Sequence, residues 1–257
     1  MFTEFLIFTA VGFLAQIVDG ALGMAYGVVS STVLLAFGVP PSVASASVHA
    51  AEVFTTCASG ASHAFHKNVQ PSLFWRIAPA GVVGGVLGAY VLTSVDGDLL
   101  RPWIVAYLAL MGLVILYKAL LYPGTHGLKG RYIMPLGAVG GFVDAVGGGG
   151  WGPVVTSSLI GAGGNPRYVI GTVNAAEFLV TCAITSTFVV AFFSGSWSES
   201  GDAISHLGAI AGLIVGGLLA APIAGYVVKI MPPRLLAGIV GIIVVALALY
   251  QASLIWG

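Results

Sequence analysis

The chain has 257 residues, of which 58% are apolar and only 7% charged, with a net charge of zero and a mean hydropathy of +1.03. A soluble domain of this length needs far more charge to cover its surface, and a neutral chain offers no electrostatic footing for nucleic acid. Its 2 cysteines, Cys57 and Cys182, fall inside apolar segments, which argues against a disulfide framework.

Taken in chain order, the apolar segments run over 5–18, 24–37, 42–65, 73–93 and 102–121, then over 132–143, 150–161, 166–193, 204–229 and 234–256. The first, 5–18, lacks the basic stretch and small-residue cleavage site of a signal peptide. Each set of five opens with two short segments, too short to cross a bilayer at about 20 residues per span. The short pairs meet at Asp19-Gly20-Ala21-Leu22-Gly23 and at Gly147-Gly148-Gly149-Gly150. Each glycine costs a helix about 1 kcal/mol, so both helices should stop there. Irregular backbone at membrane depth persists only where it lines a cavity or is buried in protein.

The two sets are copies. Residues 12–57 align without a gap on residues 137–182 at an offset of 125, with 15 identities in 46 pairs. Asp19 meets Asp144, Gly23 meets Gly148, Gly27 meets Gly152, Glu52 meets Glu177 and Cys57 meets Cys182, while His49 meets Asn174. Residues 1–121 and 132–257 thus form two repeats joined by a loop at 122–131. Related halves of a membrane protein commonly enclose a transport site between them.

Charge sets the orientation. With each short pair counted as a re-entrant hairpin or as two short spans, every half holds an odd number of crossings. Lys67, Arg76, Lys118, Lys129, Arg131, Arg167, Lys229 and Arg234 then share one side, and only Arg101 joins Glu4, Asp96, Asp98, Glu199 and Asp202 on the other. The positive-inside rule favours this count. It gives an all-α polytopic protein of two inverted-topology repeats, each with a pair of short half-helices, re-entrant or broken, and three longer transmembrane helices. Both termini are expected on the periplasmic side. Trp75, Trp103, Trp197 and Trp256 near span ends suit interfacial anchoring, and the glycines at 81–88 and 208–217 suit close helix packing.

Asp19, Asp144, Glu52 and Glu177 lie in membrane segments or at their breaks, where an ionisable group is a functional candidate by default. Glu52 shares a helix face with His49 and Thr56, as Glu177 does with Asn174 and Thr181. Each glutamate either couples transport to protons or has a structural role at a helix end or the repeat interface. The aspartates suit capping of the following half-helix. A half-helix aimed in this way presents N–H groups to an anion. The candidate substrate contacts are Gly23, Tyr26, Ser31, Thr32, His49, Gly148, Gly149, Gly150, Trp151, Thr156, Ser157 and Asn174, with His49 and Asn174 facing each other between the halves. Cys57 and Cys182 read either as small apolar residues or as lining of the site. His63 and His66 suit the surface, or a proton shuttle. No nucleophile elbow, phosphate loop or metal-ligand spacing is present, so no enzyme, cofactor or metal site is expected.

The aspartate–glycine pattern Asp19-Gly20…Gly23…Gly27, followed by Pro40-Pro41-Ser42-Val43-Ala44-Ser45 and repeated as Asp144…Gly147-Gly148-Gly149-Gly150-Trp151-Gly152-Pro153, resembles the TauE/SafE-type sulfite exporter family, also called the toluenesulfonate uptake permease family. The resemblance covers nearly the whole chain. It implies an inner-membrane secondary carrier for a small sulfur-containing anion, such as sulfite or a sulfonate like sulfoacetate, with export as the expected direction. A passive anion channel, or an uptake permease for another small organic anion, is the alternative. The expected partners are the anion, protons, membrane lipid and a second copy of the chain, which the glycine-rich helix faces permit.

Overall fold

The computed structural model describes residues 2–120, 130–230 and 233–256, and every regular element among them is helical. The first half holds α1 (Phe2–Leu22), α2 (Tyr26–Ala36), α3 (Pro41–Phe65), α4 (Pro71–Ser94) and α5 (Gly97–Leu120). The second opens with a 3-10 turn (Gly130–Tyr132) and α6 (Ile133–Gly147). A π-turn (Gly152–Thr156) then leads into α7 (Ser157–Gly161), α8 (Pro166–Ser194), α9 (Ser200–Ser205), α10 (Leu207–Ile230) and α11 (Pro233–Trp256). Most of the expected connection at 122–131 lies outside the described residues, as do Lys129 and the side chains of Asp202 and Lys229.

Helices α3, α4, α8 and α11 each begin at a proline, whose fixed φ and missing N–H suit the first turn. Long apolar stretches able to cross a bilayer lie in α1, α4, α5, α8 and α11. The first of these corrects the expected pair of short segments in the first half. At 21 residues, α1 runs through Gly20 to Leu22, whereas its counterpart α6 has 15. A lone glycine costs the helix about 1 kcal/mol, too little to stop it amid apolar flanks. Helix α3 is as long as a span at 25 residues, yet too polar to stand in lipid. Its Ser42, Ser45, Ser47, His49, Glu52, Thr55 and Thr56 are all buried on the face turned to the other helices, while Phe54 and Cys57 on the other face are exposed.

Packing is reciprocal between the halves. Helix α1 lies chiefly on α10, and α6 on α4; α3 pairs with α8, and α5 with α11. Glycines make the first two contacts close. Gly84 and Gly88 of α4 press on the α6 backbone at Ala138 and Phe142, and Gly212 and Gly216 of α10 press on α1 at Phe5 and Thr9. Helices in lipid gain much of their association from such backbone-to-backbone approach.

Polar contacts at the two ends sort by charge. Arg167 donates to Asn68 (2.6 Å) and to the His66 carbonyl (3.2 Å), and Gly130 lies against the Arg76 guanidinium. Elsewhere Glu199 accepts from Ser42 and lies against Gly97, and His206 meets Glu4 at 2.8 Å. Trp75, Trp103 and Trp256 are exposed as anchors should be. Trp197 corrects the expectation: it is 4% exposed and donates to the Ser42 hydroxyl at 2.7 Å. An indole with an internal acceptor for its N–H gains more from burial than from the interface.

Candidate functional site

Both chain breaks are built alike. At each, a glycine takes a left-handed conformation, Gly23 at φ 64° and Gly148 at φ 63°, which side-chain-bearing residues rarely adopt. The chain then turns back towards the preceding aspartate. Asp19 Oδ1 accepts from the N–H groups of Ala25 (2.9 Å) and Tyr26 (3.3 Å), and Asp144 Oδ1 from those of Gly150 (2.7 Å) and Trp151 (2.9 Å). Each aspartate thus serves the start of the following helix from six and seven residues upstream, where the residue before the helix supplies no side-chain cap.

The two breaks cross in contact. Gly149 lies on the Gly27 and Val28 backbone, and a Cβ on Gly27 would stand 2.7 Å from the Gly149 Cα. Ser31 donates to the Gly148 carbonyl, and Tyr107 to the Gly149 carbonyl at 3.1 Å. At the crossing lies a cavity of about 10 Å³, room for about one water molecule. Twelve of its thirteen described lining residues form six pairs spaced 125 apart, among them Asp19 with Asp144, Gly27 with Gly152 and Glu52 with Glu177. A seventh such pair, Thr56 and Thr181, brings its two hydroxyls to 3.5 Å nearby.

His49 departs from this symmetry. Its Nδ1 meets the Ser45 carbonyl at 2.8 Å, and its Nε2 faces Asp144 Oδ2 at 3.3 Å. Asn174, at the matching position, accepts from Ser59 and donates to the Ile170 carbonyl on its own helix (3.1 Å). His49 and Asn174 therefore do not face each other; each turns to a different neighbour. The contact of His49 with Asp144 spans 95 residues, so no local spacing announces it. With Glu52 it completes a buried set of three groups whose ligand atoms lie within 4.8 Å of one another, a metal-ligand grouping that spacing along the chain did not reveal.

The remaining candidates divide. Met24, Ala25 and Val28 line the cavity although sequence reasoning did not single them out; their position beside the breaks was the available signal. Gly149 and Gly150 line it too, as does Tyr26, whose hydroxyl donates to the Leu213 carbonyl at 2.9 Å. Trp151 is buried away from the lining and donates to the Val173 carbonyl at 3.1 Å. Thr32 bonds back to the Val28 carbonyl at 2.5 Å, Ser157 meets Met24 Sδ at 3.4 Å, and Thr156 is buried without a polar partner among the described residues. Ser31, Thr32, Thr156 and Ser157 thus stand behind the breaks and off the cavity wall.

Cys57 and Cys182 stand apart from the cavity. Cys57 is exposed in an apolar groove of about 500 Å³ between α3, α4 and α8, whose wall includes Thr56, Gly60, Phe74, Trp75 and Phe178. Cys182 is half-buried. N-ethylmaleimide is expected to modify Cys57 well before Cys182, as read by mass spectrometry of the digested protein. Equal rates would mean that the groove gives Cys57 no preferential access.

Long lipid-compatible helices around a buried polar helix, with acids gathered where two helix breaks cross, define a multi-pass membrane protein with an internal site. The family described as sulfite exporter TauE/SafE matches residues 8–251. The chain belongs to that family, and it is a membrane transporter. It is 41% identical over 245 residues to "Probable membrane transporter protein YtnM" of Bacillus subtilis (strain 168), an alignment covering 93% of this chain and 79% of that protein. No solved structure matches the chain.

Proposed function

We propose that the protein is a secondary carrier that moves sulfite, or a small sulfonate such as sulfoacetate, out across the inner membrane by alternating access of two inverted repeats. The observation that carries this reading is the cavity at the crossed breaks, lined by matching residues of both halves. A site shared equally by two related halves can open to either side as one half rocks against the other. Reciprocal packing of α1 on α10 and α6 on α4 supports that symmetry, and the charge-sorted loops support opposite orientations with both termini outside.

The anion's first contacts differ from those expected. Ala25, Tyr26, Gly150 and Trp151 already donate to the aspartates, so the next groups along, at Gly27, Val28 and Gly152, are the ones that meet it. Sulfite is larger than the present cavity, so the crossed breaks must part to admit it. The groove beside Cys57, close to Thr56 and Thr181, is the route inward. Glu177 lines the cavity outside the His49 cluster and carries the coupled proton.

Uptake of radiolabelled sulfite into proteoliposomes, with and without an imposed pH gradient, tests this. Saturable flux that follows the gradient, and loses that dependence in Glu177→Gln, is the expected result. Saturable flux indifferent to the gradient would remove the proton from the mechanism. Flux proportional to concentration without saturation would make the protein a channel, and absence of sulfite flux in folded protein would move the substrate to larger sulfonates.

A further inference from the structure

We propose that His49, Glu52 and Asp144 bind a divalent first-row transition-metal ion at the wall of the cavity. The hydrogen bonds of His49 carry the argument. Its Nδ1 contacts two oxygens of Ser45, the carbonyl at 2.8 Å and the hydroxyl at 3.2 Å. The carbonyl can only accept, and the hydroxyl spends its own proton on the Ala145 carbonyl at 2.5 Å. Nδ1 therefore carries the ring proton, and Nε2 presents a lone pair to Asp144 Oδ2 only 3.3 Å away. Two acceptors do not sit at that distance without a positive charge between them.

A proton would satisfy this pair but would leave a third group unexplained. Glu52 is 3% exposed, lines the cavity, and has in Oε2 a buried oxygen with no hydrogen-bond partner among the described residues. A buried carboxylate oxygen in that state is costly. One metal ion answers all three groups, since their ligand atoms lie within 4.8 Å of one another and need draw in only slightly. One imidazole nitrogen with two carboxylates suits a first-row transition metal. An Nδ1–H held by a backbone carbonyl is the usual way of fixing a metal-binding imidazole. Asp144 Oδ1 is held likewise by two N–H groups, which leaves Oδ2 for the ion.

The second half offers no equivalent, because Asn174 stands where His49 would be and its amide bonds Ser59 and Ile170. One ion per chain follows. It also removes an electrostatic difficulty in the transport reading. Asp19, Asp144, Glu52 and Glu177 around one small cavity repel an oxyanion, whereas a dication held by Glu52 and Asp144 cancels the charge of that wall and leaves a Lewis-acidic centre beside the cavity.

The full-length protein in detergent, stripped with a chelator and reloaded separately with Co²⁺ and Zn²⁺, tests the site without any anion present, so the result is independent of whether sulfite is the cargo. One equivalent per chain by elemental analysis, with visible Co²⁺ absorption, is expected. His49→Asn and Glu52→Gln should each weaken retention at least about tenfold. The double variant His63→Gln/His66→Gln, altered only at exposed or partly exposed histidines near the end of α3, should keep the ion and remain folded. No stoichiometric metal in the wild-type protein would overturn the proposal in favour of a proton between His49 and Asp144. Loss of the ion in the His63/His66 double variant, or unchanged retention in folded His49→Asn and Glu52→Gln, would place the metal elsewhere and overturn it equally.

Discussion

Replacing Gly149 with alanine is expected to reduce transport to background and to lower stability by about 3 kcal/mol. The added methyl would be driven into the backbone of Gly27 and Val28, at the point where the two breaks cross. Neither partner is the yielding tip of a side chain, so relief requires the helices themselves to move apart. That would also disturb the contacts of Tyr107 and Ser31 with the adjoining carbonyls. Gly161→Ala is the matched control, because nothing lies within 4 Å of the added carbon there. Proteoliposome flux and thermal unfolding in detergent, measured on both variants, separate the outcomes. A Gly149→Ala protein with wild-type flux would mean that the crossing yields to an added methyl group without loss of transport.

Asp144→Ala is the second large effect, and it should exceed Asp19→Ala. Both substitutions leave two N–H groups at a helix start without their carboxylate. Loss of a cap costs about 1 kcal/mol, and stranding buried donors adds about 1–3 kcal/mol. Asp144 in addition holds His49 through Oδ2, and Asp144 is fully buried. A fall of about 3 kcal/mol is therefore expected for Asp144→Ala, read as a lower unfolding temperature and a reduced monodisperse yield. Asp144→Asn in metal-free protein should recover much of the loss, since its amide oxygen can accept from the two N–H groups and its NH2 can donate to the lone pair of His49 Nε2. Equal losses in the two aspartate variants would show that the His49 contact contributes nothing.

The membrane class, the paired acids and the second break were legible, because they depend on composition and on local chemistry such as the glycine run at 147–150. Asp19 and Asp144 could be read as caps since an aspartate before a glycine turn has few other uses. Three features were not legible. The length of α1 depended on whether one glycine outweighs its apolar neighbours, a balance within about 1 kcal/mol. The turning of His49 to Asp144 and of Asn174 to Ser59 depended on how α3 and α8 rotate about their axes, which the i, i+3, i+7 spacing leaves open. The burial of Trp197 depended on the Ser42 hydroxyl, 155 residues away. The last two misses concern contacts that only the assembled bundle creates.

The exchange of partners between the halves bears on how the protein is made. Helix α1 is synthesised first, yet the surface it packs on belongs to α10, and the glycines that fit it, Gly212 and Gly216, emerge some 200 positions later. Until then α1 waits in the bilayer with one flank satisfied only by lipid. Helix α4, in turn, waits for α6. Assembly can therefore close only late, and the newborn first half is a set of inserted but unmatched helices. A fault in the last third of the chain would consequently be felt at its beginning, and quality control would find the amino-terminal helix exposed.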